Sequence, residues 1–458
     1  MDSESKVKDQ IFKAYDIRGI YRRDILEETA YLIGNALGNL IGPGKKLALA
    51  GDVRVSTAAL KKEMEAGIAE SGANVYDLGM VPTPVIDFCL TEFNFDGGAI
   101  VTASHNPKEW NGFKLYSGDA HVMGMGTGLE KVKELAQKGA KKYKDKGSVK
   151  AFAGETIRSY TAFIVSKAGD LRGLSIGIDP GNGSYSGLAK DILKKSGAEI
   201  TSINDFPDGN FPGRTPEPKP ESISELKNLV VEKGLDFGIA FDADGDRGIF
   251  VDDKGKVLRG DMALALMVKN WVKKGDGVVY EVSCSDAVQE AINEKGAKGF
   301  ISPVGRAFIP EKMIKEKAVL GGEISGHMYF SEARNADDPL FAATRVAHIM
   351  AGRRKKLSEL VAELPDYESF AREIPAEDSI KFKIVEHLKQ DLASSGFKIS
   401  VLDGVKARIG SGWFLIRASN TSPNLRLIAE AKSKGDLDSL VKVATEKLDR
   451  ATEAVKAQ

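Results

Sequence analysis

The sequence predicts a multidomain α/β protein: three similar α/β units with mixed, mostly parallel sheets, followed by a C-terminal α+β unit. Three observations support this fold class. The chain has 458 residues, enough for three or four domains of ordinary size. Short apolar and β-branched runs alternate with helical patterns through the first three quarters of the chain, as in parallel sheets covered by helices. After Pro365 the apolar runs follow one another closely, which is typical of an antiparallel sheet.

The first predicted unit, residues 1–150, shows this alternation of strands and helices. Its run GAIVT is apolar except for the threonine, as expected of a strand that is buried on both faces. The predicted elements are a strand at 47–51, a helix at 56–71, and strands at 74–78 and 98–102.

The same order of elements recurs in the second unit, residues 151–254, and in the third, residues 255–366. No residue-level repeat accompanies it, so the repeat is one of topology. A proline-rich stretch at 211–222 is interpreted as a long surface loop of the second unit. The second unit has predicted strands at 174–178, near Ile200 and at 237–241, with helices at 186–196 and 222–233. The third has helices from Asp261 and at 287–294, with strands at 277–282 and 318–321.

The fourth predicted unit, residues 367–458, has closely set strands separated by glycines. Gly404 and Gly410 lie between successive apolar runs, which favours an antiparallel sheet. The predicted elements are a helix at 379–393, strands at 398–402, 405–409, 413–417 and 425–431, and a final helix at about 437–456.

Composition disfavours several classes of protein. Lys plus Arg and Asp plus Glu both number 65, so the net charge is zero and a globally basic nucleic-acid binder is disfavoured. The longest charge-free stretch, 29–44, is broken by asparagines, a proline and glycines, which makes it a poor membrane span. Two cysteines and a polar N-terminus favour the cytoplasm. We therefore expect no nucleic-acid or membrane partner, and a monomer or a homodimer.

Each α/β unit contains a strand that runs directly into a polar, glycine-containing or proline-containing loop. These loops are TASHNP (102–107), DADGDR (242–247) and GEISGH (322–327). Ligands of open α/β sheets bind just beyond the carboxyl ends of the strands. The three loops are therefore expected to face one central cleft.

Asp242, Asp244 and Asp246 place three carboxylates at alternate positions after a strand. Their repulsion requires a neutralising cation, and hard oxygen ligands favour Mg²⁺ or Ca²⁺. An EF-hand does not fit, because its sixth position would be Arg247 rather than glycine and its twelfth would be aspartate rather than glutamate. We expect Mg²⁺, with Arg247 as a cation suited to an anionic substrate.

Ser104 lies at a strand end beside His105 and is a candidate nucleophile. The alternative is a serine that only caps the turn before Pro107. The G-x-S-x-G elbow of α/β-hydrolases is absent, because Thr102 and Asn106 stand two positions away. The acidic loop favours phosphoryl transfer through Ser104.

Two further loops suit a sugar phosphate. Glu323, Ser325 and His327 alternate like one face of a strand and offer partners for sugar hydroxyls, although a polar strand edge would look the same. The segment RASNTSP (417–423) offers a guanidinium and hydroxyl or amide donors in one turn, a suitable phosphate cradle. A plain turn would explain its small polar residues but not its arginine. Its candidate residues are Arg417, Ser419, Asn420 and Thr421, with Arg426 as a second charge.

In this order, TASHNP, DADGDR, GEISGH and RASNTSP resemble the loops of the α-D-phosphohexomutases, most closely the phosphomannomutase/phosphoglucomutase branch. The resemblance covers all four predicted units. It implies that Ser104 is a phosphoserine and that Asp242, Asp244 and Asp246 bind one Mg²⁺ together with the phosphate on Ser104. It also implies reversible phosphoryl transfer between O1 and O6 of a hexose phosphate through a hexose 1,6-bisphosphate, which is both intermediate and activator.

The resemblance also implies roles for the surrounding residues. Glu323 and Ser325 would hold sugar hydroxyls. Arg18 and Lys114 would stabilise charge or assist proton transfer, and Lys114 and His327 both remain candidates for the general acid or base. The catalytic residues implied beside Ser104 are Arg18, His105, Lys114, Arg247 and His327, and Tyr15, Asn106 and His327 are implied to bind substrate. The residues implied at the non-reacting phosphate are Arg417, Ser419, Asn420 and Thr421.

Some positions bear on the substrate. Ile324 and Asn420 differ from the G-E-Q-S-G-H and R-x-S-G-T-E loops of phosphoglucosamine mutases, which favours mannose and glucose phosphates. Ser283 replaces a lysine of many bacterial members, and Arg306 replaces a histidine that often contacts phosphate, a contact that Arg306 could take over. The sequence does not choose between mannose and glucose.

Three other functions stay open as alternatives. They are a phosphoglucosamine mutase, a haloacid-dehalogenase-type phosphatase with Asp242 as nucleophile, and an inactive sugar-phosphate sensor. For a mutase, closure of the fourth unit about a hinge within 365–375 would shield the phosphoserine from water.

Overall fold

The computed structural model describes residues 7–419 and 422–457, and these contain four β-sheets in four consecutive stretches of the chain. Three sheets are mixed and are covered by helices, whereas the fourth is wholly antiparallel. The predicted fold class is confirmed.

The first sheet has six strands in the described chain, and it contains every strand predicted for its unit. The strands are β1 (Ile17–Ile20), β2 (Lys46–Gly51), β3 (Asn74–Met80), β4 (Gly97–Val101), β5 (Trp110–Ser117) and β6 (Val149–Ala151). The helices are α1 (Glu27–Ile41), α2 (Thr57–Glu70), α3 (Thr83–Glu92) and α4 (Leu129–Lys138), after a 3₁₀ turn at Asp9–Ile11. The strand order is β1-β5-β4-β2-β3-β6.

The second and third sheets each have five strands. The second stretch contains α5 (Ala153–Ala168), β7 (Ser175–Asp179), α6 (Leu188–Lys195), β8 (Glu199–Ser202), α7 (Ser224–Lys233), β9 (Phe237–Phe241), β10 (Gly248–Asp252) and β11 (Val257–Leu258), in the sheet order β11-β10-β9-β7-β8. The third contains α8 (Gly260–Asn270), β12 (Gly277–Glu281), α9 (Asp286–Lys295), β13 (Lys298–Ser302), α10 (Phe308–Glu316), β14 (Ala318–Gly322), β15 (Met328–Phe330), a 3₁₀ turn (Ser331–Ala333), β16 (Ala336–Asp337), α11 (Pro339–Arg353) and α12 (Leu357–Val361), in the sheet order β13-β12-β14-β15-β16.

The fourth sheet is a five-stranded antiparallel layer packed against two helices. Its elements are β17 (Glu368–Pro375), α13 (Lys381–Ser394), β18 (Lys398–Ser400), β19 (Val405–Ile409), β20 (Gly412–Ala418), β21 (Asn424–Ala431) and α14 (Lys434–Lys456). The strand order is β17-β21-β20-β19-β18. Apolar residues of β20, β21 and both helices form its core.

In each of the three α/β sheets, the parallel strands give way to an antiparallel strand at the same point in the topology. In each, a strand of the parallel part is followed by a loop and then by an antiparallel neighbour: β4 and β5, β9 and β10, β14 and β15. The three loops singled out in the sequence are these connections. After their predicted roles they are called the serine loop (102–107), the metal loop (242–247) and the sugar loop (322–327), and the segment 417–423 of the fourth sheet is called the phosphate loop. The topological repeat is therefore present, and it places the loops at equivalent positions.

Some expectations need revision in detail. Most of the stretch expected to hold the hinge is β17, which pairs with β21 along its whole length. Strand β11 pairs with β10, so the second sheet continues past the boundary expected at residue 254.

The proline-rich loop also differs, because it is only partly at the surface. The Arg214 side chain is 3% exposed and donates hydrogen bonds to Asp179 Oδ2 at 2.7 Å and to the Phe241 carbonyl at 2.6 Å. These hydrogen bonds, to groups at the ends of β7 and β9, hold the loop in place.

Neither cysteine forms a disulfide, and both Cys89 and Cys284 are buried. Among the described helices, none has the length and apolar character required to cross a membrane.

Helices α1 and α2 pack with their backbones close together, and Gly67 permits the approach. A Cβ atom at Gly67 would overlap the Tyr31 carbonyl oxygen and would lie 2.8 Å from the Asn35 nitrogen. Asn35 Nδ2 also donates to the Gly67 carbonyl at 3.1 Å, which links the two helices.

We expect Gly67→Ala to destabilise the protein by about 1–3 kcal/mol, because the added methyl group forces the two helices apart. The measurement is urea unfolding followed by circular dichroism. Gly154→Ala is the matched control, because a Cβ there has open space within α5 and alanine has the higher helix propensity. Equal unfolding midpoints for the two variants would contradict this account of the packing.

Candidate active site

Ser104 lies in a strained turn after β4. Its φ of 52° is in the left-handed region, which costs a non-glycine residue about 1–3 kcal/mol. Its N–H donates to Thr102 Oγ1 at 2.9 Å, and its Oγ lies 3.2 Å from His105 Nδ1 and 3.4 Å from Asp242 Oδ2. The turn therefore directs the hydroxyl toward the acidic loop of the second sheet.

Asp242, Asp244 and Asp246 are buried, and their carboxylates offer oxygens that all lie within 4.8 Å of one another. Burial and the two neighbouring aspartates raise the pKa of Asp242 well above its usual value. Oδ1 of Asp244 and Oδ1 of Asp246 are buried without a hydrogen-bond partner among the described residues. A buried group of three carboxylates with free oxygens fits Mg²⁺.

Lys114, on β5, supplies part of the neutralising charge. Its Nζ donates to Asp244 Oδ2 at 2.6 Å and to Asp246 Oδ2 at 2.5 Å. Burial alone would lower the pKa of Lys114, but the two carboxylates outweigh it and raise the pKa. Thr83 Oγ1 also donates to Asp244 Oδ2, at 2.8 Å. Lys114 thus joins the first sheet to the metal loop as a cation.

Arg18 and Tyr15 lie at the start of β1, next to the serine loop. Arg18 donates to Asn106 Oδ1 and to Asp16 Oδ2, both at 2.7 Å. The pKa of the buried Tyr15 hydroxyl is raised by desolvation and by nearby acids, among them Asp16 and Glu323. The structure brings Arg18, Asn106 and Tyr15 together with the serine and sugar loops.

Arg247 connects the metal loop to the sugar loop. The backbone N–H of Arg247 donates to Asp242 Oδ1 at 3.1 Å, and its side-chain Nε donates to His327 Nε2 at 3.0 Å. His327 Nδ1 lies 2.7 Å from Asp337 Oδ2. Because Nε2 accepts from an arginine, the imidazole in this arrangement carries its proton on Nδ1 and donates it to Asp337. His327 is therefore an acceptor on its Arg247 side.

The guanidinium of Arg306 is bound to protein groups. Its Nε and Nη2 donate to Asp337 at 2.9 Å, its Nη2 also pairs with Asp87, and its Nη1 donates to the Tyr116 hydroxyl at 3.1 Å. These contacts favour Arg306 as a link between the first and third sheets. Its contact with substrate phosphate stays a prediction.

The sugar loop places polar groups around Glu323. Glu323 Oε1 accepts from the Tyr329 hydroxyl at 2.7 Å, and Ser325 Oγ is buried without a partner among the described residues. Glu281 Oε1 accepts from Ser283 Oγ at 2.8 Å and from the Ile324 N–H at 3.0 Å. Burial and the neighbouring Glu323 raise the pKa of Glu281 to about 7. Ser283 therefore helps Glu281 to hold the sugar loop in place.

Asp403 links Arg417, at the start of the phosphate loop, to the third sheet's unit. Arg417 Nε donates to Asp403 Oδ2 at 3.2 Å, and the same oxygen accepts from the Val304 N–H at 3.0 Å. Lys381 Nζ donates to the Ser419 carbonyl at 2.6 Å and so holds the loop from α13.

Two other predicted residues of this loop, Asn420 and Thr421, lie outside the described residues. Arg426 is directly opposite Arg417 in the sheet and pairs with Glu373 at 3.2 Å. The two arginines therefore lie on the same face of the sheet.

Sequence reasoning missed several buried residues that support these loops. They are Asp52 and Arg54, which contact the serine loop, together with Thr83, Asp337 and Lys381. The segment Asp52-Val-Arg54 had a usable signal, because both charges directly follow the apolar strand β2. The others lie in ordinary-looking segments, and only the tertiary structure reveals their partners.

Comparison with known proteins matches all four units. The four domain models of the phosphoglucomutase/phosphomannomutase family match residues 9–142, 157–255, 259–367 and 353–447. A phosphoglucomutase/phosphomannomutase of Thermococcus kodakarensis is 32% identical, and the alignment covers 93% of this chain and 95% of the relative. A probable phosphoglucosamine mutase of Methanopyrus kandleri is also 32% identical, with 92% and 94% coverage.

A solved structure of a family protein from Burkholderia thailandensis superposes with a TM-score of 0.88 at 29% identity, covering 98% of both chains. The sequence, the fold and the four loops agree with the resemblance inferred from the motifs. The chain therefore belongs to the phosphoglucomutase/phosphomannomutase family and is a phosphohexomutase.

Proposed function

We propose that this enzyme moves a phosphoryl group between O1 and O6 of mannose or glucose phosphate, through phospho-Ser104 and a hexose 1,6-bisphosphate. The observation that carries the proposal is the position of Ser104 Oγ, 3.4 Å from Asp242 and 3.2 Å from a histidine nitrogen. A serine that only capped a turn would have no need of a buried acidic site and a lysine in front of it.

In the first half of the proposed reaction, the free sugar hydroxyl attacks the phosphorus of phospho-Ser104. The new O–P bond forms as the bond to Ser104 Oγ breaks, the hydroxyl loses a proton and Oγ gains one. Lys114 and Arg18 are buried cations beside this point and stabilise the negative charge that develops. Mg²⁺ held by Asp242, Asp244 and Asp246 would neutralise the oxygens of the transferring group.

In the second half, the Ser104 hydroxyl attacks the other phosphate of the bisphosphate after the sugar has turned. The new O–P bond forms as the bond from that phosphorus to the sugar oxygen breaks, Oγ loses its proton and the sugar oxygen gains one. We propose His105 as the acceptor of the hydroxyl proton, because its Nδ1 lies 3.2 Å from Ser104 Oγ. Burial and the neighbouring Arg247 and Arg18 lower the pKa of its imidazole, which favours the neutral form. By microscopic reversibility, the same nitrogen returns the proton in the first half. Lys114 is held protonated by two carboxylates and is the poorer base.

The sugar must be held while either end of it lies at Ser104. Glu323 and Ser325 are proposed to bind its hydroxyls, and Arg417 with the rest of its loop is proposed to bind the phosphate that does not react. A binding site for the distal phosphate, separate from the transfer site, suits a ligand with a phosphate at each end.

The alternatives have less support. A phosphatase that used Asp242 as its nucleophile would leave the position of Ser104 and the phosphate loop unexplained. A phosphoglucosamine mutase is kept as the second candidate, because the relative from Methanopyrus kandleri, with the same 32% sequence identity as the Thermococcus kodakarensis relative, is named a probable phosphoglucosamine mutase.

We expect Ser104→Ala to lower mutase turnover by at least about 10³-fold, since the phosphoryl carrier is lost. The measurement is the conversion of mannose 1-phosphate and glucose 1-phosphate to 6-phosphates, with Mg²⁺ and glucose 1,6-bisphosphate. Ser117→Ala, on the same sheet but outside the proposed site, is the control. Mutase turnover that survives in Ser104→Ala would refute the phosphoserine, and release of inorganic phosphate in its place would favour a phosphatase.

Mg²⁺ should stabilise the native protein, because it binds a site that the unfolded chain lacks. We expect a higher melting temperature in Mg²⁺ than in EDTA for the native sequence, and no such increase for Asp242→Asn. Without Mg²⁺ the variant should not be less stable, because it removes carboxylate repulsion. Asp191→Asn, an exposed aspartate of α6, is the control. An undiminished Mg²⁺ response in Asp242→Asn would contradict the proposed metal site.

Arg417→Met is expected to raise KM for either hexose phosphate by at least about tenfold, because a charge-assisted contact with phosphate is lost. Arg426→Met should have a smaller effect, since its side chain is 40% exposed and pairs with Glu373. The exposed Arg372→Met, on the neighbouring strand, serves as the control. The assignment would be wrong if Arg417→Met and Arg372→Met gave the same KM.

A further inference from the structure

Arg54 makes the largest set of contacts to the serine loop, yet it lies outside that loop. It follows β2, and its side chain is fully buried. Its Nη2 donates to the carbonyls of Ser104 and Asn106 at 2.6 and 2.7 Å, and its Nη1 donates to those of Pro107 and Trp110 at 2.7 and 3.1 Å. One guanidinium thus binds four carbonyls of the segment that carries Ser104.

The fifth N–H of this guanidinium is also used. Arg54 Nε donates to Asp52 Oδ2 at 3.0 Å. Because a guanidinium has five N–H groups, the contacts leave Arg54 no donor for a substrate. Arg54 can therefore act on the reaction only through the loop.

Asp52 connects Arg54 to the backbone of Ser104. Its Oδ2 also accepts from the Thr102 hydroxyl at 2.7 Å, and Thr102 Oγ1 in turn accepts from the Ser104 N–H at 2.9 Å. The Ser104 N–H and C=O are therefore both held by one network of Arg54, Asp52 and Thr102. Fixing the peptide groups on both sides of Ser104 holds the residue in its left-handed conformation.

The second unit covers this network. The ring of Phe211, in the proline-rich loop, lies 5.4 Å from the Arg54 guanidinium carbon. Gly209, two residues before that loop, packs against the backbone on either side of Arg54, where a Cβ would lie 2.5 Å from Val53 O and Val55 N. The loop thus keeps water from the hydrogen bonds that fix Ser104.

We propose that Arg54 is a positioning residue for phosphoryl transfer, which sets the direction of Ser104 Oγ and keeps the phosphoserine turn closed to water. The proposal rests on the proposed phosphoserine. It assigns two effects to Arg54: alignment of the serine with the sugar hydroxyl, and exclusion of water as a competing acceptor. When water attacks in place of the sugar, the products are free serine and inorganic phosphate.

The test compares mutase turnover with phosphate release in the full-length Arg54→Lys protein. Lysine keeps the charge but cannot bind four carbonyls in one plane. We expect kcat to fall by about 10²-fold through misalignment, with KM for the hexose phosphate almost unchanged. Inorganic phosphate released per mutase turnover should rise by at least about tenfold, because water gains access to the phosphoserine.

A second pair of variants covers the case in which Arg54→Lys fails to fold. Thr102→Val removes the acceptor of the Ser104 N–H at nearly constant volume, and Thr102→Ser keeps it. We expect the valine variant to show the same shift toward phosphate release and the serine variant to remain close to the native protein. The matched control is Arg345→Lys, another buried arginine, which pairs with Glu332 at 2.7 Å in the third unit. It should lose stability without a change in phosphate release.

The outcomes separate this inference from the proposed function. If Ser104→Ala abolishes turnover but folded Arg54→Lys and Thr102→Val keep the native kcat and phosphate release, the inference about Arg54 is overturned alone. If Ser104→Ala keeps full mutase turnover, the phosphoserine fails and the inference fails with it. A change in phosphate release for Arg345→Lys equal to that for Arg54→Lys would also overturn it, since general destabilisation would then suffice.

Discussion

The balance of buried charge where the loops meet is the constraint on which the rest of the structure depends. Asp242, Asp244 and Asp246 lie close to one another and out of water, an arrangement that requires neutralising charge nearby. Lys114 of the first sheet neutralises part of this charge, and Arg247, at the end of the same loop, is hydrogen-bonded to His327 of the third sheet's unit. Neutralisation thus fixes how the units sit together, and the site exists only once they do.

The topology explains why one site can draw on three sheets. Each α/β unit carries its loop where the parallel part of the sheet gives way to an antiparallel strand. A loop at this point is anchored by paired strands on both sides, so its side chains are held more rigidly than those of an ordinary connection. Bringing these loops together gives the proposed nucleophile, metal site and sugar site from one repeated design, with the fourth sheet supplying the proposed phosphate loop.

Much of this could be predicted from sequence, and the limit has a physical cause. Apolar strands that end in polar loops predicted the α/β units and the acidic site, because both patterns are local in the sequence. The role of Arg306 could not be read this way, because Asp87, Tyr116 and Asp337 are distant in sequence and meet it only in the folded chain. Arg54 and Lys381 were missed for a related reason: they bind backbone carbonyls, which every residue has, so no motif marks their targets. The buried Arg214 shows the same limit in a loop expected to lie at the surface.

The connection into the fourth sheet has a mechanical consequence. Helix α12 ends at Val361 and β17 begins at Glu368, and the Tyr367 hydroxyl between them donates to Glu290 on α9 at 2.5 Å. So short a tether, anchored along its length, spans at most about 20 Å even when fully extended. The connection therefore keeps the phosphate loop close to the other three loops. In the proposed mechanism, a doubly phosphorylated sugar that dissociates from one loop would stay close to the others, which favours turning within the site over release.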